Sequence, residues 1–456
     1  MDLQWLFDKF DQYQGREAIV WKNKVYTYDW LISKIKEWKK LIIEKNITKG
    51  QIVTVEGDYS PSISALFIAL IENDNIIVPL SSASEENKRE FLEIANVSIG
   101  INFDEQDNWK IIDYGYKIEN EVIKQLINKK DPGLVLFSSG STGKSKGALL
   151  NFRKILKKYK KEQKTLRTLV FLLIDHIGGI NTLFYILSNG GTMIVEGSKD
   201  PSDICKAIER YKVELLPTSP TFINLLLISE EYKKYNLSSL KLITYGTEPM
   251  QKYTLENANE IFQNVKFKQT YGLSELGIVA TKSENNTSLW MKLGGAGYQY
   301  KIKDNTLWIK AESAMEGYLN APSPFDEEGW FNTQDVVLQK GDYFRILGRE
   351  SEIINVGGQK VYPAEVESVI LEVDNIQDVI VRGEKNIIMG NIVCAKVNLV
   401  ELEPIASVKK KIRKYCKEKL EAYKIPVKIE IDNDHLYNKR FKRMRRKGIK
   451  TNTNTE

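Results

Sequence analysis

The sequence is poor in cysteine and histidine and has no long apolar run. Three cysteines and two histidines occur among 456 residues, and the cysteines lack the paired spacing of a zinc site or disulfide framework. This usage suits a reducing compartment. No run of about 18 apolar residues is present, and aspartates stand where a signal peptide carries basic residues. We therefore expect a cytoplasmic protein without a membrane span.

The length of the chain excludes a single compact core. With 456 residues, two or more domains are expected. The net charge of +6 is small for this length, so it does not by itself favour a nucleic-acid partner. Hydrophobic residues make up 42% and charged residues 28% of the sequence, which is typical of an ordinary folded protein.

Strands and helices alternate through the first half of the chain. The predicted strands are 52–58, 76–80, 97–102, 134–137, 168–174, 192–197 and 213–218. The predicted helices are 31–45, 62–74, 85–96, 179–189 and 201–211. Such alternation indicates a parallel sheet flanked by helices.

The pattern changes in the second half. After about residue 288 the segments are short and turn-rich, which predicts antiparallel strands. Residues 361–432 read as helix, strand, strand, helix, strand, the size of a small α+β domain. We expect the domain boundary near Gly348 to Ser351.

A glycine- and serine-rich segment, SSGSTGKSKG at 138–147, directly follows a predicted strand. Its glycines let backbone N–H groups point inward, while its hydroxyls and lysines add donors and positive charge, as a polyphosphate needs. The segment ends like a Walker A loop, but that pattern needs glycine at position 138, where Ser138 stands. A flexible loop without a ligand is the alternative interpretation.

The same segment resembles the phosphate loop of the acyl-adenylate-forming superfamily, which includes acyl- and aryl-CoA ligases, nonribosomal peptide adenylation domains and firefly luciferase. In that family the loop typically reads SSGTTGxPKG. The resemblance implies contacts to ATP phosphates for Ser138, Ser139, Gly140, Ser141, Thr142, Gly143 and Lys146. The similarity extends from about residue 27 to 442, and 456 residues is short for the family.

A second segment, QTYGLSE at 269–275, is similar to the family motif QxYGxTE. The resemblance places Tyr271 and Gly272 beside the adenine and Ser274 on a phosphate oxygen. It also makes Glu275 a ligand of Mg²⁺, for which a carboxylate beside phosphates is a suitable partner. Without the resemblance, the Tyr-Gly pair predicts only a turn after a strand.

The stretch TYGTEPM at 244–250 resembles the family segment that flanks the adenine and acyl pocket. By this resemblance Gly246, Thr247 and Glu248 are candidates for contacts with the adenine and ribose.

Two more segments carry predicted ribose contacts. GWFNTQD at 329–335 matches the motif GWxxTGD, with Gln334 in place of glycine. The resemblance implies that Asp335 accepts hydrogen bonds from the ribose hydroxyls, as a carboxylate can accept two. It implies that Arg349 also reaches the ribose.

The segment GRESEIINVGGQKVYPAEVE at 348–367 resembles the family's hinge region. Ser351 stands at the hinge position, where the family commonly has aspartate or lysine. Gly357 and Gly358 would line a tunnel for the thiol after rotation of the C-terminal domain. Without the resemblance, 355–359 predicts only a tight turn.

A basic run, NKRFKRMRRKGIK at 438–450, ends the recognisable similarity. Alone, it indicates a solvated tail or a surface for nucleic acid or acidic partners. The resemblance aligns it with PKTRSGKIMRRK and selects Lys442 as the catalytic lysine, with Phe441 replacing the usual glycine. Lys439 and Lys447 are the alternatives.

The segment FLLIDHIGGI at 171–180 resembles PLxHxxGG, at the floor of the family's acyl pocket. It places His176 and Gly179 at the acyl pocket or its gate, although a simply packed histidine is the alternative. Amino-acid-activating members have aspartate at the position of His176, and here Asp175 comes one residue early. Ile177 argues against a salicylate-type subfamily, so an aryl or fatty acid is expected.

The resemblance implies a large N-terminal domain, 1–349, of parallel sheets flanked by helices plus a small distorted β-barrel. A small mobile α+β domain, 350–456, would carry the catalytic lysine. The implied activity uses ATP and Mg²⁺ to convert a carboxylic acid to an acyl-AMP, then transfers the acyl group to CoA or a carrier-protein phosphopantetheine. A stand-alone enzyme loading an acyl carrier protein, a nucleic-acid-binding protein and a non-catalytic family member are the alternatives.

Overall fold

The computed structural model describes residues 1–139, 145–432, 436–437 and 444. Its α-helices are α1 (Gln4–Gln12), α2 (Tyr28–Glu44), α3 (Pro61–Glu72), α4 (Lys88–Ile94), α5 (Glu121–Asn128), α6 (Phe152–Leu156), α7 (Ile177–Leu187), α8 (Pro201–Tyr211), α9 (Pro220–Ser229), α10 (Lys252–Ile261), α11 (Pro363–Ile370) and α12 (Ile405–Lys419). Among these described residues, no helix combines the length and apolar character needed to cross a bilayer.

The strands fall into four sheets. The first thirteen are β1 (Glu17–Trp21), β2 (Lys24–Thr27), β3 (Ile52–Glu56), β4 (Ile76–Leu80), β5 (Ile99–Phe103), β6 (Trp109–Asp113), β7 (Gly133–Ser139), β8 (Ser145–Asn151), β9 (Thr168–Leu169), β10 (Met193–Val195), β11 (Leu215–Thr218), β12 (Leu242–Tyr245) and β13 (Lys266–Gln269). The others are β14 (Tyr271–Leu273), β15 (Gly277–Ser283), β16 (Met291–Gly294), β17 (Tyr298–Lys303), β18 (Thr306–Ala311), β19 (Gly317–Tyr318), β20 (Phe331–Lys340), β21 (Tyr343–Arg349), β22 (Ile354–Val356), β23 (Gln359–Val361), β24 (Ile376–Asn386), β25 (Gly390–Leu399) and β26 (Lys428–Ile431).

Local sequence explains where several helices begin. Helices α3, α8 and α9 each start with a capping residue followed by proline: Ser60-Pro61, Asp200-Pro201 and Ser219-Pro220. In each case the capping side chain accepts a hydrogen bond from a backbone N–H of the first turn. Proline suits the first helical position because its fixed φ is helical and its missing N–H has no partner there.

Two seven-stranded sheets, joined by buried helices, form the larger part of the fold. The first has the order β13-β12-β11-β9-β10-β1-β2 and is parallel except for the β1–β2 pair. The second has the order β19-β8-β7-β4-β3-β5-β6, parallel at its centre and antiparallel at both edges. One continuous core joins α1, α2, α3 and α7 to strands of both sheets.

The third sheet is antiparallel throughout, in the order β14-β15-β16-β21-β20-β18-β17, and corresponds to the predicted small barrel. The fourth has β23-β22-β25-β24 with β26 parallel to β25, and it packs with α11 and α12 around its own core. The order of elements from α11 to β26 is the one predicted for 361–432. The predicted fold class is confirmed.

Several strands are shorter than the sequence indicates, including those predicted at 52–58, 192–197 and 213–218, and the largest difference is at 168–174. The prediction extended from 168 to 174, whereas β9 covers only Thr168–Leu169. Val170 still donates its N–H to Ile194 O at 2.8 Å, but a turn follows in which His176 N donates to Leu173 O at 3.1 Å. Phe171 and Ile174 are buried although they lie outside the strand, so the hydrophobicity of this segment reflects packing as well as strand pairing.

The first turn of α7 contains two glycines in different surroundings. A Cβ on Gly178 would lie 2.8 Å from Cδ1 of Leu172, the tip of a flexible side chain. A Cβ on Gly179 would lie 2.0 Å from the backbone oxygen of Leu173 and 2.8 Å from the Tyr59 hydroxyl. Only Gly179 therefore touches a part of the structure that cannot move aside cheaply.

We expect Gly179→Ala to lower the free energy of unfolding by about 3 kcal/mol or more, because the methyl group would displace backbone. The matched control, Gly178→Ala, should change it by about 1 kcal/mol or less, since alanine favours the helix and Leu172 can rotate. Urea unfolding of both variants measures the difference. Similar stability for the two variants would contradict this account of the packing.

Candidate functional site

A buried carboxylate on the third sheet is the centre of the candidate site. Asp335 on β20 is 6% exposed and pairs in register with Arg349 on β21. The Tyr271 hydroxyl donates to Asp335 Oδ2 at 2.5 Å, and Arg349 Nε lies 3.5 Å from Oδ1. Burial raises the pKa of Asp335 above its ordinary value, although Arg349 and Tyr271 both act to lower it. A hydrogen bond from one strand and an ion pair with another thus hold this carboxylate.

A second carboxylate, that of Glu275, interacts electrostatically with Arg349. Glu275 is in the turn between β14 and β15, and its Oε1 accepts from the Tyr318 hydroxyl at 2.7 Å. Burial lowers the pKa of Arg349, but the negative charges of Asp335 and Glu275 raise it above its ordinary value overall. Arg349 therefore connects the two carboxylates electrostatically.

Lys146 extends this arrangement towards the phosphate-loop segment. Its ammonium lies 5.2 Å from the centre of the Tyr318 ring, in cation–π range. Lys146, Glu275, Arg349 and Asp335 thus form a row of alternating charge, which we call the charged row, with Tyr318 linking its first two members.

Strand pairing places the charged row beside the loop. Ser138 on β7 pairs with Lys146 on β8, and Ser139 pairs with Ser145, so both ends of the glycine- and serine-rich segment lie on paired strands. The predicted phosphate contacts Gly140, Ser141, Thr142 and Gly143 lie outside the described residues.

The sequence interpretation missed two residues that position this hairpin. Tyr318 is on the two-residue strand β19, which pairs with β8. Asn320 accepts from Gly147 N at 3.1 Å and donates to Ser145 O at 2.8 Å. A single tyrosine or asparagine in a turn-rich stretch has no distinctive chemical signal, and only the pairing of distant strands reveals these contacts.

The turn after β14 contains two of the predicted nucleotide contacts. Ser274 adjoins Glu275 there, and Gly272 pairs with Ile278 on β15. A Cβ on Gly272 would lie 2.4 Å from Cδ1 of Ile278 and 2.8 Å from the backbone oxygen of Gly277. The glycine therefore permits close approach of the two strands.

The predicted adenine segment follows β12. Thr247 has φ of 73°, an uncommon conformation for a β-branched residue that often marks functional sites. Glu248 Oε1 accepts from Thr221 N at 2.8 Å and from Thr221 Oγ1 at 2.5 Å, so its carboxylate lies at the positive N-terminus of α9. Gly246 lies directly after β12, where a Cβ would be 2.5 Å from Thr270 Oγ1.

The predicted acyl-pocket residues lie at the start of α7. His176 is the residue before the first turn and is half-buried. The neighbouring Asp175 is buried, and its Oδ2 accepts from Ser81 Oγ at 2.7 Å and from Ser84 Oγ at 2.5 Å. Gly179 packs against backbone, as described above.

The predicted hinge and tunnel residues lie where the chain enters the fourth sheet. Ser351 is exposed in the 3₁₀ turn Glu350–Glu352, between β21 and β22. Gly357 and Gly358 have φ of 56° and 87° and form the tight turn between β22 and β23. The predicted catalytic lysine, Lys442, and its alternatives Lys439 and Lys447 lie outside the described residues.

A magnesium site built by protein ligands alone is not found in the described part of the chain. No three His, Cys, Asp or Glu side chains come together there as a metal-binding group. A single carboxylate, Glu275, nevertheless fits Mg²⁺ beside a nucleotide, because this ion keeps water and takes phosphate oxygens as its other ligands.

The fold matches that of the acyl-adenylate-forming superfamily. The chain belongs to the AMP-binding enzyme family: the family model matches residues 6–319, and the model of the AMP-binding enzyme C-terminal domain matches residues 365–437.

Curated relatives and a solved structure agree with this family. The chain is 29% identical over 334 residues to 4-coumarate–CoA ligase-like 9 of Arabidopsis thaliana, covering 65% of this chain and 59% of the relative. It is 30% identical over 336 residues to acyl-CoA synthetase 7 of Caenorhabditis elegans, covering 66% and 62%. These matches span less than two thirds of the relatives' length. The fold matches o-succinylbenzoate CoA synthetase of Bacillus subtilis, in complex with an acyl-adenylate intermediate, at a TM-score of 0.77 and 20% identity, covering 97% and 96%.

Gln334 stands where the family motif has glycine, and its backbone has φ of 59°, in the left-handed region. We expect Gln334→Gly to raise the free energy of unfolding by about 0.5–1 kcal/mol, because a side chain in this region is disfavoured. Gln334→Ala is the matched control and should give no gain, since it keeps the Cβ. Denaturant unfolding measures both, and an equal gain for alanine would contradict the backbone explanation.

Replacing Asp335 by asparagine tests the consequence of burying its charge. Because the pKa of Asp335 is raised, its carboxyl group holds a proton more strongly in the folded protein than in the unfolded chain. Aspartates of an unfolded chain ionise at about pH 4. Ionisation above that pH therefore lowers the free energy of unfolding. We expect the stability of Asp335→Asn, relative to the parent, to increase as the pH rises from about 4 to 7.

Urea unfolding at several pH values measures this trend. Asp342→Asn, at the exposed turn between β20 and β21, is the control and should give no such trend. A stability difference for Asp335→Asn that is independent of pH would show that burial does not govern this carboxyl group.

Proposed function

We propose that the protein activates a carboxylic acid with ATP, forming an acyl-adenylate and pyrophosphate, and then transfers the acyl group to a thiol. The observation that carries this proposal is the charged row, which begins at Lys146 on β8 and ends at the buried carboxylate of Asp335. Membership of the AMP-binding enzyme family supports the nucleotide. The relatives named CoA ligase and acyl-CoA synthetase support CoA as the acceptor.

The chemistry requires charge compensation rather than a general base. A carboxylate is a poor acyl donor because its leaving group would be oxide, and attack on the α-phosphate supplies AMP as a better one. With a pKa of about 4, the substrate's carboxylic acid is already ionised at neutral pH. The barrier arises because an anion must approach a polyanion, and positive groups around the phosphates lower it as charge develops.

In this proposal, the two ends of the charged row bind different parts of ATP. Asp335 accepts hydrogen bonds from the ribose hydroxyls, with Arg349 beside it, since a carboxylate has acceptor positions beyond those used by Tyr271 and Arg349. Lys146 neutralises the β- and γ-phosphates together with the glycine- and serine-rich segment. The other proposed nucleotide contacts are Ser138, Ser139, Gly140, Ser141, Thr142, Gly143, Gly246, Thr247, Glu248, Tyr271, Gly272 and Ser274.

Glu275 is the proposed ligand of Mg²⁺, which supplies positive charge at the phosphates. The Tyr318 hydroxyl orients the carboxylate by holding its Oε1. Glu275 also interacts electrostatically with Arg349, whose pKa it helps to raise.

The C-terminal residues complete the proposed mechanism. Lys442 approaches the reacting carboxylate and phosphate as a positive charge in the first step. We propose Ser351 as the hinge between an N-terminal domain, 1–349, and a C-terminal domain, 350–456. After rotation, Gly357 and Gly358 would line the path of the thiol, in a domain-closure switch.

Two observations bear on the acid. The side chain of Asp175 is bound by Ser81 and Ser84, which supports an acid without a free amino group. His176 and Gly179 at the start of α7 are the proposed wall of the acid pocket, and an aryl or aliphatic acid is proposed as substrate.

Pyrophosphate exchange with a panel of aryl, short-chain and long-chain acids tests the proposal. We expect exchange with at least one acid, and Lys442→Ala to lower its rate by about 10²- to 10³-fold through loss of charge stabilisation. Thioester formation from supplied acyl-adenylate should change little in this variant. Lys447→Ala is the matched control.

Exchange with no acid would contradict the proposed function, whereas full exchange by Lys442→Ala would contradict only that assignment. Product formation with CoA, compared with a holo-carrier protein, then identifies the acceptor. An enzyme dedicated to a carrier protein would acylate the phosphopantetheine thiol and leave CoA unreacted.

A further inference from the structure

One lysine outside the charged row joins the two elements that flank the proposed acid pocket. Lys158 lies in the 3₁₀ turn Lys157–Lys160, directly after α6. Its ammonium donates to Asn181 Oδ1 at 2.8 Å, on α7, and to the backbone oxygen of Ile278 at 3.1 Å, on β15.

Both contacts relate Lys158 to proposed substrate-binding segments. Asn181 is on α7, whose first residue follows His176, and it lies two residues after Gly179, the other proposed acid-pocket residue. Ile278 pairs with Gly272 in the β14–β15 hairpin, whose turn carries Glu275. Lys158 therefore bridges the helix at the acid pocket and the hairpin at the phosphates.

The charge of Lys158 has no counter-ion among the described residues. Both hydrogen-bond partners are neutral, and burial alone lowers the pKa of its ammonium, to about 8. The remaining favourable contact of the cation is the Tyr159 ring, 5.0 Å away. An ammonium has three donors, and two are used. Lys158 is half-buried, and a partly desolvated cation favours contact with an anion.

A purely structural role does not explain the charge. Asn181 Oδ1 also accepts from the Tyr159 hydroxyl at 2.9 Å, and Ile278 O also accepts from the Tyr298 hydroxyl at 3.1 Å. Each acceptor that Lys158 contacts therefore keeps another donor if the lysine is removed. A neutral side chain of similar length would leave neither acceptor unsatisfied.

We propose that Lys158 determines the specificity of the acid site and that the substrate carries a second carboxylate, which this ammonium receives. The inference rests on the proposed function, because the first carboxylate is the one that attacks ATP. The third N–H of Lys158 and its positive charge supply the recognition, while the apolar part of the acid lies between α7 and the β14–β15 hairpin.

Matched pairs of acids test this inference in the pyrophosphate-exchange assay. Hexanoate is compared with adipate, and benzoate with phthalate and terephthalate, for the parent, Lys158→Met and Lys158→Arg. We expect the parent to use at least one dicarboxylate with a kcat/KM about tenfold or more above its monocarboxylate. Lys158→Met should lower that value by about 10- to 100-fold, mainly through KM, as for loss of a charged hydrogen bond.

The monocarboxylates should change by less than about threefold in Lys158→Met, and Lys158→Arg should keep the preference for the dicarboxylate. Thermal unfolding shows whether both variants fold. Equal losses for both kinds of acid, or a parent that prefers the monocarboxylates, would overturn the role of Lys158 while leaving acid activation intact.

Ligand binding without turnover separates this inference from the proposed function. The shift in melting temperature caused by each dicarboxylate is measured without ATP. We expect a shift for the parent and Lys158→Arg that Lys158→Met lacks. If no acid supports exchange but Lys158→Met alone lacks the shift in melting temperature, the proposed function is wrong and the Lys158 site is supported. Identical shifts in all three proteins would overturn the Lys158 site.

Discussion

The pairing of Asp335 with Arg349 across β20 and β21 is the constraint on which the candidate site depends. A carboxylate buried to this degree needs partners, and the strand register supplies Arg349 while β14 supplies Tyr271. Arg349 is also the last residue of β21, one residue before the short turn that leads to the fourth sheet. The proposed ribose site therefore ends where the turn towards the C-terminal sheet begins. A change in the backbone of this turn would shift Arg349 relative to the Asp335 carboxylate.

The charged row joins parts of the chain that belong to different sheets. Lys146 is on β8 of the second sheet, whereas Asp335 and Arg349 are on the third. Tyr318 connects them, because β19 pairs with β8 while its hydroxyl reaches Glu275 beside β14. Burial and the charge of Glu275 both raise the pKa of the Tyr318 phenol, so this hydroxyl stays a donor at neutral pH. A neutral tyrosine between a lysine and a glutamate thus keeps the two sheets in a fixed relation.

Elements with strong local signals could be predicted from the sequence. The strand at 76–80 and the helix at 201–211 have the predicted bounds, since the first is a short apolar run and the second begins with a capping aspartate and proline. The strand predicted at 168–174 was too long, because a buried segment and a paired segment look alike in hydrophobicity. Gln334 replaces the glycine of the family motif. Its backbone keeps the left-handed conformation that a glycine adopts easily, which the motif alone could not reveal.

The contacts that the sequence could not reveal are those between distant segments, and they bear most on the acid. Asp175 alone would suggest an amine-binding residue displaced by one position, but its contacts to Ser81 and Ser84 show a carboxylate already engaged by hydroxyl donors. Lys158 lies in a run of lysines, which as sequence indicates only a solvated surface. In the fold it is the member of that run whose ammonium lies between α7 and β15, with neutral partners that each have a second donor. Ser81 and Ser84 already donate to Asp175, whereas both acceptors of Lys158 keep a second donor if the lysine is removed. We therefore expect Lys158, rather than Asp175, to bind a charged group of the substrate.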